Sequence, residues 1–380
     1  VEKISAVPDF LLQTLKSQDN PYSSKQSSYF HSSKGLTKIE RGKDTYRLGD
    51  LQKISKPLIH NQAASVWMLE DHSFNQNILC VEFHTKANAL NGLAMEILYE
   101  AVELTDKHKA DGLVVYNEAM NFSAGADLNT LIELADDKNW QGIDLYLSSF
   151  QNTCSLMKYA PFPTISAVSG LAIGGGFEVA CQSDRMVAHM NSTLGLVETG
   201  VGLVPGGGGC KELLWRWVQD PKFQNNHDDA ALEVFNIIGY GKIATSPILA
   251  LPLKLIREQD VVVENRDRLL FESFQLINSL KNSYQAPQKP AFRLSGISVK
   301  QQMHEVLKEL ESQHIIAGYD VDIGLYLADV LSGGANSKST DVSEQDLYDL
   351  ERESLINLIQ SHKTRDRIHM MLSTGRKLKN

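Results

Sequence analysis

The sequence predicts an α/β fold followed by a helical C-terminal module, and two observations carry that expectation. From about Ser65 onward, short apolar runs alternate with segments of helical spacing, the pattern of strands joined by helices in an at least partly parallel sheet. After about Ala286 the strand-like runs stop, and hydrophobic residues recur at three- and four-residue intervals.

Residues 1–60 read as an appendage. Pro8 to Lys16 has the spacing of one amphipathic helix, and the serine-rich stretch Asn20 to Gly35 has no apolar period. Ser65–Leu69 and Ile78–Phe83 read as strands around a polar turn at Asp71–Asn77. Leu93 to Leu104 reads as a helix, Gly112–Tyr116 and Thr164–Val168 as buried strands, and Leu131 to Met157 as mostly helical. Arg185–His189 is a further strand. Gln301–Ile315, Gly324–Leu331, Glu344–Ile359 and Thr364–Leu372 read as helices, with Ser343 and Asp346 at capping-box spacing before the third. The implied domains are 1–60, 61–285 and 286–380.

Composition narrows the class. The 380 residues are 42% hydrophobic and carry a formal charge of −9, a globular chain without the basic face that nucleic-acid binding needs. No apolar run reaches the ~20 residues of a membrane span, and the N-terminus has no signal-peptide order. Four widely spaced cysteines suit a reduced compartment, so a cytoplasmic location is expected. The eleven histidines never fall at metal-ligand spacing, and neither a phosphate loop nor a G-x-S-x-G elbow is present. Gly239-Tyr-Gly241-Lys-Ile-Ala244 matches a loose dinucleotide pattern, but Pro247 and Pro252 follow where a helix is required.

Three glycine-marked segments remain: Asn121 to Leu128, Ser169 to Glu178 and Leu196 to Gly209. Any one of them could be merely a tight turn. Together they place small residues where backbone N–H groups can converge on one oxygen, the construction of an oxyanion hole. They also place Glu178 and Glu198, 20 residues apart, beside those turns. Two neighbouring carboxyls with unequal protonation suit general acid and base work at neutral pH.

At these residues the chain resembles the crotonase superfamily, and within it the enoyl-CoA hydratases. The matching residues are Gly125-Ala126-Asp127-Leu128, Gly174-Gly175-Gly176-Phe177-Glu178, and Glu198 before Gly202-Leu203-Val204-Pro205-Gly206. The resemblance covers roughly 65–275. It implies a crotonase-type ββα spiral, with Ala126 and Gly175 as oxyanion donors and Glu178 and Glu198 as the catalytic pair. It also implies a coenzyme A contact at Lys86, Ala87, Asn88, Ala89 and Leu90, with Ala124, Asp127 and Leu128. The expected reaction is hydration of a trans-2-enoyl-CoA to a 3-hydroxyacyl-CoA in fatty-acid β-oxidation. Isomerase, thioester hydrolase and non-catalytic acyl-CoA-binding scaffold are the alternatives on this fold. Departures from the pattern are Cys210 for the usual threonine, Phe177 for a small residue, and a polar stretch from Gln219 to Asp229.

The flanks resemble bacterial bifunctional 3-hydroxyacyl-CoA dehydrogenases, most recognisably at Val342 to Glu353. That resemblance makes residues 1–60 the end of a preceding dehydrogenase half, an expectation with which the start at Val1 agrees. NAD would belong to that half alone; this portion would need an acyl-CoA substrate, no cofactor and no metal. A thiolase partner and a homo-oligomer are further implications. The helical tail, with its Leu and Ile stripes, is expected to be a packing surface for the dehydrogenase half or a second subunit rather than part of a site.

Overall fold

The computed structural model describes residues 42, 44–52, 55–71, 76–334 and 340–380, and the backbone of 29–32 and 35–38. The expected Pro8–Lys16 helix and part of the 71–77 turn lie outside the described residues. Two compact units, Val1–Lys56 and Pro57–Asn380, make up the chain. In the first, strands β1 (Tyr29–Ser32) and β2 (Gly35–Lys38) form an antiparallel hairpin, and Leu48–Leu51 forms a single helical turn.

The second unit opens with three antiparallel strands: β3 (Ile59–His60), β4 (Ala64–Asp71) and β5 (Gln76–Phe83). Then β6 (Gly112–Tyr116), β7 (Thr164–Val168), β8 (Leu171–Ile173), β9 (Arg185–His189) and β10 (Thr193–Gly195) follow. The short strands β11 (Ile243–Ala244) and β12 (Val261–Val263) come later. A seven-stranded sheet has the order β12-β9-β7-β6-β5-β4-β3, and a smaller one the order β11-β10-β8. From β5 to β12 the large sheet is parallel. Every residue of β6 and β7 is buried, as expected of parallel strands covered on both faces.

The pairs β7–β8 and β9–β10 show the spiral. In each, the first strand joins the large sheet and the second the small one, where β8 and β10 run parallel. A bridge between Ser123 and Ala172 puts the segment after β6 beside β8 in the same manner. This is the ββα spiral, and it stacks the loops that follow β6, β8 and β10 on one another.

The stretch expected to be mostly helical, Leu131 to Met157, holds two helices, Leu128–Asp136 and Trp140–Lys158. Lys138 takes a positive φ of 55°, and the Asn139 side chain accepts from Gly142 N–H to start the second.

The expectation that strands stop after Ala286 is corrected. Strand β13 (Ala291–Leu294) pairs antiparallel with β14 (Thr340–Ser343). In β13, Phe292 and Leu294 are buried while Ala291 and Arg293 are exposed, a strand period too short to stand out beside four helices. Those helices are Ile297–Ser312, Gly318–Ser332, Glu344–Gln360 and His362–Thr374. The capping box at Ser343 is present, its Oγ accepting from Asp346 N–H.

The tail is also not an outlying surface. Phe292, Met303, Leu327, Leu355 and Ile368 belong to one continuous core with Leu147, Phe150 and Leu213. Many of the tail's Leu and Ile residues are buried within this chain, while Ile297, Ile315 and Leu372 are exposed. All four cysteines are buried and free, and among the described residues no helix is long and apolar enough to cross a membrane.

Candidate active site

The first two glycine turns meet. Gly125 has φ +109°, and the position of a Cβ on it lies 3.5 Å from Gly175 N. A Cβ on Gly175 would lie 2.9 Å from Ala126 N, and one on Gly176 only 2.6 Å from Ser123 Cβ. Only side-chain-free residues let the start of the Gly175–Cys181 helix approach this loop so closely. Neighbouring amides are occupied: Asp127 N–H donates to Leu90 O and Gly174 N–H to Gly195 O. Among the described residues the N–H groups of Ala126 and Gly175 find no protein acceptor. Two unpaired donors therefore lie side by side at a helix N-terminus, where the helix dipole also favours negative charge.

Glu178 sits in that helix's first turn and is 4% exposed. Its Oε1 accepts N–H bonds from Gly207 at 2.8 Å and Gly209 at 2.9 Å. Burial pushes its pKa up to about 7, against the opposing pull of these two bonds. Glu198 begins the short 3-10 turn Glu198–Val201. Both of its carboxyl oxygens are buried, with no hydrogen-bond partner among the described residues. Burial first, and the charge of Glu178 second, push it up to about 8, against a lesser pull from the backbone amides of Glu198 and Val197. Its Oε1 lies 3.2 Å from the Cβ position of Gly174 (φ +53°), so it faces the residue that precedes the Gly175 donor.

The residues expected to contact coenzyme A form one laced surface. Lys86 and Ala87 are exposed, and Ala87 and Asn88 both take φ 54°, a strained pair for residues with side chains. The strain is held by partners on the oxyanion loop. Asn88 Nδ2 donates to Asn121 O, Ser123 Oγ to Asn88 O, Ala124 N–H to Ala87 O and Leu90 N–H to Gly125 O. Ala89 follows at the end of the turn, and Asp127 caps the helix that Leu128 begins.

Several buried polar residues at this site were not singled out in the sequence. Tyr146 donates its hydroxyl to Leu90 O at 2.7 Å; burial, then the Asp127 charge, raises its pKa. Gln182 Nε2 donates to Glu178 O and Gly207 O, and Gln151 Nε2 to Gly206 O. Glu351, fully buried, accepts from Gly208 N–H at 2.6 Å and Lys211 N–H at 3.0 Å. Nothing local marks them: a polar residue on an amphipathic helix looks alike whether it meets water or a turn. Among the described residues, no cluster of three or more His, Cys, Asp or Glu side chains is placed to hold a metal.

Residues 73–220 match the family model for enoyl-CoA hydratase/isomerase. A crystal structure of enoyl-CoA hydratase from Bacillus halodurans aligns over 80% of this chain and 98% of its own, with a TM-score of 0.53 at 18% identity. Residues 73–220 are thus similar to the enoyl-CoA hydratase/isomerase family, and the fold is that of a solved enoyl-CoA hydratase. A probable 3-hydroxyacyl-CoA dehydrogenase of Bacillus subtilis (strain 168) is 29% identical over 386 residues, covering all of this chain and 48% of that protein. The mitochondrial methylglutaconyl-CoA hydratase of Mus musculus is 34% identical over 128 residues, 33% of this chain and 40% of that protein. The chain thus spans about half the length of the dehydrogenase it matches from end to end.

Proposed function

We propose that this chain hydrates trans-2-enoyl-CoA thioesters to 3-hydroxyacyl-CoA. The observation that carries the reading is the unequal pair of carboxyls beside two unpaired N–H donors. Glu178 has two N–H bonds of good geometry to support an anion, whereas Glu198 has none of that geometry, only the lesser pull of its own and the Val197 backbone amides, and feels the charge of Glu178. Near neutral pH, the first therefore serves as base while the second keeps a proton.

The thioester oxygen would take the N–H groups of Ala126 and Gly175, which stabilise the enolate charge as it develops; one such donor is worth on the order of 3 kcal/mol. Glu178 orients a water and takes its proton as the water oxygen bonds to Cβ. Glu198 gives its proton to Cα. One water is added across the double bond, and the two carboxyls exchange roles until a proton returns from Glu178 to Glu198. The coenzyme A arm would lie along Lys86–Leu90, Ala124, Asp127 and Leu128. Nothing in this sequence of steps uses a further cofactor.

The wider context is part of the same proposal. The end-to-end likeness to a protein named as a dehydrogenase supports residues 1–60 as the end of an NAD-dependent dehydrogenase half, with 61–285 as hydratase and 286–380 as helical module. A place in fatty-acid β-oxidation, a thiolase partner, a homo-oligomer and a cytoplasmic setting belong to that reading.

The test is product identity. Given trans-2-enoyl-CoA, the chain should yield 3-hydroxyacyl-CoA, heavier by one water. Conversion of 3-enoyl-CoA to 2-enoyl-CoA without hydration would move the assignment to an isomerase.

A further inference from the structure

The turn that aims Glu178 is held from behind by the C-terminal helical segment. After Pro205 the chain runs through four glycines, Gly206 to Gly209, into the helix Gly209–Val218. The first amides of a helix have no partner inside it, and here they are shared between two carboxylates. Gly207 and Gly209 point theirs at Glu178 Oε1. Gly208 and Lys211 point theirs the other way, at Oε2 and Oε1 of Glu351. Alternate N–H groups of one turn thus lead in one direction to the proposed base and in the other to a residue of the tail.

The fit between that turn and the helix Glu344–Gln360 is steric as well as polar. A Cβ on Gly208 would lie 2.6 Å from the Tyr348 ring, and one on Gly206 would lie 2.6 Å from Leu355 Cδ1. Tyr348, Glu351, Arg352 and Leu355 recur at helical spacing, so one face of the helix meets the turn. The carbonyls of the turn are fixed from the same side. Tyr348 donates its hydroxyl to Gln182 Oε1, and Gln182 Nε2 donates to Gly207 O. Arg352 Nη1 donates to Gln151 Oε1, and Gln151 Nε2 donates to Gly206 O.

We infer that Glu351 is a positioning residue for Glu178. Its two oxygens anchor the turn whose other amides set the direction of the Glu178 carboxylate, so the C-terminal helical segment is part of the active site. Both Glu351 oxygens face an N–H; burial and then the Glu178 charge push its pKa up against the pull of those two amides, and a glutamine there would turn an NH2 towards an N–H. The inference rests on the hydratase reading.

The experiment compares Glu351→Gln with Glu344→Gln in the full chain, using crotonyl-CoA. Glu344 anchors the same helix through Lys211 Nζ and the Tyr159 hydroxyl but, among the described residues, takes no backbone N–H of the turn. Folded E351Q should lose about 10- to 100-fold in kcat, the scale of a small misplacement of a catalytic group, with KM within about twofold of the starting value. E344Q should unfold at lower urea yet keep kcat within about threefold. Should E351Q not fold, Glu351→Asp, with both acceptors on a shorter stem, takes its place in the comparison. An E351Q chain with unchanged kcat, or equal kcat losses in both variants, would overturn the inference alone. An unmutated chain that hydrates no enoyl-CoA overturns the hydratase reading and the inference with it.

Discussion

Glu178 and Glu198 differ in what their carboxyls touch: Glu178 Oε1 takes two backbone N–H bonds, while neither oxygen of Glu198 takes any among the described residues. The consequence is a pH dependence of definite sign. Hydration needs Glu178 ionised and Glu198 protonated, so kcat/KM should rise as pH passes about 7 and fall beyond about 8. Buried Glu351 also feels the Glu178 charge, so the bell belongs to the three carboxyls as a unit. A profile flat from about pH 5 to 9 would contradict the division of labour.

Gly175 has room for no side chain on its inner face. A methyl there would lie 2.9 Å from Ala126 N and 3.4 Å from the Phe150 ring, in front of one proposed oxyanion donor. Gly175→Ala keeps an ordinary helical backbone and should give a folded protein. Its kcat should drop on the order of 10²–10³-fold, as when an oxyanion donor is lost. Steady-state kinetics beside circular dichroism checks both halves, and near-normal turnover would remove the Ala126 donor from the mechanism.

Lys211 is wholly buried, with Nζ 2.7 Å from Glu344 Oε1 and 3.3 Å from Glu212 Oε2. It also lies over the Tyr348 ring, and Glu212 pairs with Lys158. Breaking a buried pair on one side leaves an uncompensated charge, which costs about 3–5 kcal/mol. Lys211→Met should therefore lower unfolding stability by that amount in urea titrations. A loss under about 1 kcal/mol, the range of exposed pairs, would contradict the view that this cluster pins the tail to the core.

How much of this was legible in the sequence follows from chain distance. Gly125-Ala126, Gly174-Gly175 and the two glutamates sit in short segments whose residue types are dictated locally, by close backbone approach and by strand-to-helix turns. The alternation that builds the spiral was visible for the same reason. Strand β13 was missed because four residues beside a partner some fifty positions on carry almost no periodic signal. Glu351 was missed for a different reason. On the helix Glu344–Gln360, with acidic residues on several faces, nothing but the fold reveals which carboxylate turns inward to Gly208.

In the proposed reaction Glu178 and Glu198 act together on an enoyl thioester. The most direct test follows the loss of enoyl-thioester absorbance when the chain is mixed with crotonyl-CoA, beside Glu178→Gln and Glu198→Gln. The unmutated chain should turn over. Each variant should lose about 10²–10⁴-fold, the usual worth of a positioned acid or base, while still binding acyl-CoA. A folded, acyl-CoA-binding chain that leaves the absorbance unchanged, or a variant that keeps normal turnover, would contradict the account.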